Sequence, residues 1–180
     1  MGVTMFEDGG AGKAFTRAWA LSGARVELEP LRAAHAEEMA EVLGDPALHR
    51  FIGGAPDTAE GLRARYARLA AGSPDPAVHW LNWVIRLRGD HRAVGTVQAT
   101  VTGATAEVAW VVGTPWQGRG LAREAARLLV AGLAARGVRR VVAHIHPDHT
   151  ASAAVARAAG LTPTDVWQDG EVRWRAELTG

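Results

Sequence analysis

The 180-residue chain has no cysteine, which removes disulfides, thiolate metal sites and a cysteine nucleophile together. The absence fits a reducing interior, and the expected compartment is the cytoplasm. No apolar run approaches the roughly 18 residues of a membrane span. The first twelve residues are acidic and glycine-rich, unlike a secretory leader, and residues 1–18 are expected to form a flexible tail. An excess of one charge is also lacking: 20 Lys and Arg stand against 19 Asp and Glu, for a net +1. No bulk field then draws the protein to nucleic acid or an anionic membrane, and neither is an expected partner.

What is present describes one ordinary soluble domain. Hydrophobic residues make up 48% and charged residues 22% of the chain, near the averages for globular proteins, and a chain of this length buries roughly 70% of its unfolded surface. Residues 19–180 are read as a single unit. A hairpin-like start, 19–29, turns at Ser22-Gly23. Helices are expected over 31–43 and 59–71, the second capped by Thr58 with Leu62, Tyr66 and Leu69 on one stripe. Strands follow at 80–87, 93–101 and 107–112, most economically a meander. An amphipathic helix over 121–136 carries Leu121, Ala125, Leu128, Leu129 and Leu133 on one side and stops at Gly137. A buried strand, 138–146, precedes a last helix, 151–159, capped by Asp148 or Thr150. Asp169-Gly170 then gives the strongest hairpin signal in the chain. The order of elements predicts an α+β fold.

The chemistry concentrates between Glu107 and Ala122. A strand ends near Val112, a glycine-rich turn follows, and a helix opens at about Gly120. Such a turn offers backbone N–H groups at the positive end of a helix, where phosphate binds readily, and Gly118 and Gly120 lack the Cβ that would hold a pyrophosphate away. A plain tight connection is the competing explanation. The pattern is neither a P-loop nor a dinucleotide-binding turn, because the required lysine and third glycine are missing.

Gln117-Gly118-Arg119-Gly120-Leu121-Ala122 resembles the Gln/Arg-x-x-Gly-x-Gly/Ala motif of the GNAT superfamily of acyl-CoA-dependent N-acetyltransferases. Residues 25–31 resemble the opening strand of its ribosomal-protein N-terminal acetyltransferase branch, and Pro147 to Ser152 its Asn-x-x-Ser segment. The resemblance implies a mixed, mostly antiparallel central sheet with helices on both faces. It also implies a V-shaped splay between the strand ending at Val112 and the strand 138–146. In this family a bulge frees backbone groups, at Val111 and Val112 in this sequence, to pair with pantetheine, and the diphosphate rests on the amides of Gln117, Gly118, Arg119, Gly120, Leu121 and Ala122. Acetyl-CoA is the implied cosubstrate. His149 stands where the branch usually has Asn, and Ala156 where many members have a Tyr proton donor. Ser152 matches the proton donor of the N-terminal acetyltransferase branch, and Glu107 lies where some members place a carboxylate base.

Other residues carry weaker signals. His144 and His146 share a strand face, but with His149 they lack a complete ligand set, so no metal is expected; lining the acceptor cleft, or plain packing, suits them better. Of the seven tryptophans, Trp80, Trp83, Trp110 and Trp174 fall in strands and are expected in the core, and Trp116 sits beside the cofactor turn. Arg119 could face a phosphate or solvent. The resulting expectation is transfer of acetyl to a primary amine by direct attack in a ternary complex. The acceptor is a peptide α-amine or a small-molecule amine, a homodimer is allowed, and a non-catalytic acyl-CoA-binding module is the rival from another class.

Overall fold

A computed structural model describes residues 15–179; the expected tail at 1–14 lies outside them, and Phe15 is already buried, its ring 6.0 Å from that of His79. Eight strands form one sheet: β1 Leu21–Ser22, β2 Val26–Pro30, β3 Val78–Leu87, β4 Ala93–Thr102, β5 Thr105–Val112, β6 Arg140–Ile145, β7 Thr162–Gln168 and β8 Glu171–Glu177. Their order is β1-β2-β3-β4-β5-β6-β8-β7. Every neighbouring pair is antiparallel except β5 and β6, so the expected mixed, mostly antiparallel sheet is observed. Both turn residues between β7 and β8 have positive φ, Asp169 at 51° and Gly170 at 81°, as a two-residue hairpin of matching twist requires.

Helices cover both faces: α1 Ala36–Val42, α2 His49–Ile52, α3 Ala59–Ala71, α4 Leu121–Ala134 and α5 Thr150–Ala158. The alternation of β3 shows why two layers are needed. Leu81, Trp83 and Ile85 pack in one core with Leu121, Ala125, Leu129 and Leu133 of α4. Val84, pointing the other way, packs with Met39 of α1 and with Leu62 and Tyr66 of α3. Thr58 caps α3 as its sequence suggests, its hydroxyl accepting from the Gly61 N–H at 3.0 Å.

Three local expectations are corrected. The helix expected over 31–43 opens as a 3-10 turn, Ala33–His35, before α1, because the Arg32 N–H is drawn to Nδ1 of His35 at 3.1 Å. The last helix starts at Thr150 with His149 in the cap position and no side-chain cap, so neither Asp148 nor Thr150 serves as one. Of the four strand tryptophans, Trp83 and Trp174 are buried, whereas Trp80 and Trp110 are half-buried; Trp110 is drawn out of the core by the cleft described below.

Candidate active site

The parallel pair that opens the sheet is short. β5 meets β6 only at Thr105↔Arg140, Ala106↔Val141 and Glu107↔Val142, after which β5 runs on to Val112 and β6 to Ile145. Beyond Glu107 the two strands part, and the backbone edge of β5 faces a gap instead of a neighbour. The bulge expected at Val111 and Val112 is not observed, since the β4 to β5 register is unbroken from Thr105 to Val112. A Cβ on Gly95 would lie 2.1 Å from the Val111 carbonyl oxygen and 3.0 Å from Val112 Cα. The backbone of β5 thus leans over a glycine that alone permits the approach. The Val112 carbonyl accepts from Gln117 Nε2 at 3.0 Å.

From Gly113 a 3-10 turn, Thr114–Trp116, leads to the glycine turn and α4. Gly118 and Gly120 sit at φ 74° and 77°, and Gly120 is the N-cap of α4. A Cβ at Gly118 would meet nothing within 4 Å, so the turn presents bare backbone at a helix N-terminus. Arg25, just before β2, clamps it: Nη1 donates to the Arg119 carbonyl at 2.8 Å while Nε reaches Glu124 at 3.0 Å. This bond gives the opening of β2 a direct role in shaping the turn.

Two clefts meet at this splay. One, of about 640 Å³, is lined by Val111, Val112, Trp116, Gln117, Gly118, Gly120, Leu121 and Ala122, with Arg50 and Arg123 among its charged residues. The other, of about 480 Å³, runs from Glu107, His144 and His146 inward to Asn82 and Tyr66. Both volumes lie in the range of small-molecule sites. Phe51, Ile52, Trp110, Val111, His149 and Ser152 line both and form their junction. The first cleft fits a CoA-sized group on the chemistry of its wall: open glycines, helix-end amides and guanidinium groups.

On the second cleft, Glu107 and His144 are joined, His144 Nδ1 lying 3.0 Å from Glu107 Oε1. Arg173 Nε donates to the other ring nitrogen at 3.1 Å. The His149 ring stacks on Phe51 at 4.1 Å and 3°. Burial, helped by the nearby His146 charge, pushes the His149 imidazole below its ordinary range, so at neutral pH it is an uncharged wall of the junction.

Most of the residues singled out from the sequence are brought together. Ser152 stands at the junction, whereas Ala156, where many family members have a tyrosine, faces the core from α5. Arg119 is the exception, being exposed and contributing its carbonyl to Arg25 while the Arg123 side chain lines the cleft. Sequence reasoning missed Arg123, which helical spacing from Gly120 could have found, and Arg50 and Arg173, which only tertiary pairing places there. Among the described residues no group of three His, Asp or Glu side chains is arranged to hold a metal ion.

A sequence model of the acetyltransferase (GNAT) domain matches residues 25–162. The chain belongs to the GNAT acetyltransferase family, and it is an acetyl-CoA-dependent N-acetyltransferase. No curated protein matches it in sequence. Solved structures share the fold at low identity. A GNAT-family acetyltransferase from Bacillus anthracis has a TM-score of 0.74 at 19% identity, over 88% of this chain and 98% of that one. RimL, a ribosomal L7/L12 α-N-protein acetyltransferase solved with coenzyme A, has a TM-score of 0.75 at 17% identity, over 89% and 98%. The microcin C7 self-immunity acetyltransferase MccE, solved with acetyl-CoA and AMP, has a TM-score of 0.71 at 16% identity, over 87% and 94%.

Proposed function

We propose that the protein acetylates a primary amine, with a peptide N-terminal α-amine as the first candidate, by direct attack on acetyl-CoA in a ternary complex. One observation carries this reading: the two clefts meet at Ser152, with the glycine turn along one and Glu107 on the other. The diphosphate rests on the amides of Gln117 to Ala122, near the guanidinium groups of Arg50 and Arg123, and the pantetheine lies along Val111 and Val112. The amine enters from the Glu107 side. Its nitrogen attacks the thioester carbon, Glu107 or a water held on it takes the amine proton, and the Val112 N–H stabilises the developing oxyanion. The C–S bond breaks, and the Ser152 hydroxyl protonates the leaving thiolate, to be reprotonated from solvent.

Energetics favour an α-amine. Deprotonating an amine of pKa about 8 at neutral pH costs about 1.4 kcal/mol, against about 4.6 kcal/mol for a lysine, so an exposed carboxylate suffices. RimL, which shares this fold, acts on such an amine in the protein for which it is named. A small-molecule amine is the second reading, favoured by the depth of the acceptor cleft, whose lining includes the buried Tyr66. Among the described residues no helix is long and apolar enough to cross a membrane; the cytoplasm is the proposed compartment. A thiol-release assay with acetyl-CoA over N-terminal peptides, polyamines and aminoglycosides tests all of this. Turnover on peptides supports the first reading and turnover on small amines alone the second. CoA binding without turnover on any acceptor would leave a binding module.

A further inference from the structure

The Glu107 carboxylate is exposed, with 55% of its side-chain surface open, whereas the His144 ring bonded to it is 9% open. An exposed glutamate on its own samples several rotamers, so a base at this position needs an anchor, and the buried ring supplies one. What the ring can offer depends on which nitrogen carries its proton. An arginine can only donate. Arg173 Nε faces Nε2 of His144 at 3.1 Å, so Nε2 must present its lone pair and the proton must sit on Nδ1. Nδ1 is the atom 3.0 Å from Glu107 Oε1. His144 in this arrangement is therefore a donor to Glu107 and cannot itself be the base.

The chain of three is built on the sheet. Glu107 lies opposite Val142, two residues before His144 on the same face of β6, and His144 lies opposite Arg173 on β8. Arg173 is steadied in turn by Gln168, whose Oε1 is 3.4 Å from Nη2. His146, just after β6, Glu171 from β8 and His149 beside α5 are ionisable groups of the same cleft wall. None of them bonds to the His144 ring nitrogens, which are both already engaged.

We infer that Arg173 is a positioning residue for acetyl transfer: by fixing His144 as its Nδ1–H tautomer, it makes the imidazole hold one oxygen of Glu107 and leaves the other for the incoming amine. This rests on the reading of Glu107 as the base. It gives β8, which belongs to neither the cofactor turn nor the strand bearing Glu107, a defined part in the chemistry.

The test reads the tautomer and the turnover separately. In the 15N-labelled full chain at about pH 8, above the ordinary imidazole range, two-bond 1H–15N spectra resolve the histidine rings, with His144 identified by its loss in His144→Gln. The expected result is a protonated Nδ1 and a bare Nε2. Arg173→Met should release the ring toward the Nε2–H form and lower kcat roughly 10- to 100-fold, the scale of a misplaced catalytic group, with KM for acetyl-CoA unchanged. Arg173→Lys, which keeps a donor, should recover part of both. A wild-type ring protonated on Nε2 overturns the inference, as does an Arg173→Met variant with the tautomer or kcat unchanged. The tautomer is read without turnover and needs no acceptor to be known. If the tautomer is as stated but wild-type enzyme transfers no acetyl group, the functional reading fails while the geometric assignment stands.

Discussion

Glu107 and Ser152 occupy different places in the two-cleft arrangement, so removing them should have different signatures. Ser152 lines both clefts, and a donor to the leaving thiolate acts after attack; Ser152→Ala should lower kcat while leaving acetyl-CoA affinity nearly unchanged. Glu107 lines only the acceptor cleft, so Glu107→Gln should lose most activity where the amine is still protonated and recover as pH rises past the amine's pKa. Rates over roughly pH 6 to 9, the span of an α-amine, decide both, and a Glu107→Gln enzyme at wild-type rate at low pH removes Glu107 from the mechanism. A third residue speaks to stability. The Tyr66 hydroxyl is buried without a hydrogen-bond partner among the described residues, and burial pushes it up to about 12, so it stays protonated. Tyr66→Phe deletes an uncompensated polar group and should raise stability by about 1 kcal/mol, read as a higher urea midpoint; a lower midpoint would mean that the hydroxyl has a stabilising partner. Glu107, Ser152 and the glycine turn could be singled out because each falls in or beside a segment that carries the family resemblance. Arg173 was not, because its tie to His144 depends on β8 pairing with β6 across 29 residues, which no local pattern encodes.

At the scale of elements, periodicity carried the fold where it was uninterrupted. The period of two in β3 to β5 and the apolar stripe of α4 predicted those elements to within a few residues, and Asp169-Gly170 located the final hairpin because few residue pairs tolerate positive φ twice in succession. Less legible was the splay, which came from the resemblance alone. Local pattern cannot tell a strand that pairs over its whole length from one that leaves its neighbour after three residues. Short pieces such as α2, four residues long, owe their shape to contacts such as Phe51 on His149 and give no periodic signal. The turn before α4 makes the sharpest test at this scale. Gly118 has positive φ and open space where a Cβ would go, so Gly118→Ala should cost only about 1 kcal/mol of backbone strain while placing a methyl group on the wall proposed to face the diphosphate. Acetyl-CoA affinity measured by calorimetry should fall at least roughly 10-fold, about 1.4 kcal/mol, in a protein that still folds; undiminished affinity would move the diphosphate off this turn. Gly120 is a poorer probe, because a Cβ there would sit 3.2 Å from Arg25 Nη2 and disturb the clamp as well.

Across the whole molecule, two carboxylates fasten the helical layers to β2, one on each face of the sheet. Glu124 of α4 accepts from the Arg25 and Val26 N–H groups at 2.7 and 3.2 Å and from Arg25 Nε at 3.0 Å. Glu29 of β2 bonds to Arg86 and Arg32 and lies 3.3 Å from His35 Nε2. Arg86 in turn reaches Glu38 of α1 at 3.1 Å. Burial alone would raise both carboxyls. For Glu29 the bond and charge of Arg86, with those of His35 and Arg32, outweigh it, and for Glu124 the bonds from Arg25 and Val26 do, so both are held below the ordinary glutamate value of 4.5. His35 is also held below its ordinary 6.5, because its burial outweighs the attraction of Glu29, and His149 is lowered likewise. All four groups therefore bind protons more readily in the unfolded chain, and stability must fall with pH through each of their windows. The histidines act first: their contribution is complete above about 6.5 and drains away as pH falls through their lowered folded values. The carboxylates follow, complete above about 4.5 and lost as pH falls below it. Urea midpoints measured from about pH 8 to pH 3 should decline in these two stages. His35→Gln should weaken the first stage, and Arg86→Met, which strips Glu29 of its main partner, should shrink the second. A midpoint that stays level from pH 8 to pH 5.5, or rises on acidification, would show that the buried His35 carries no linkage.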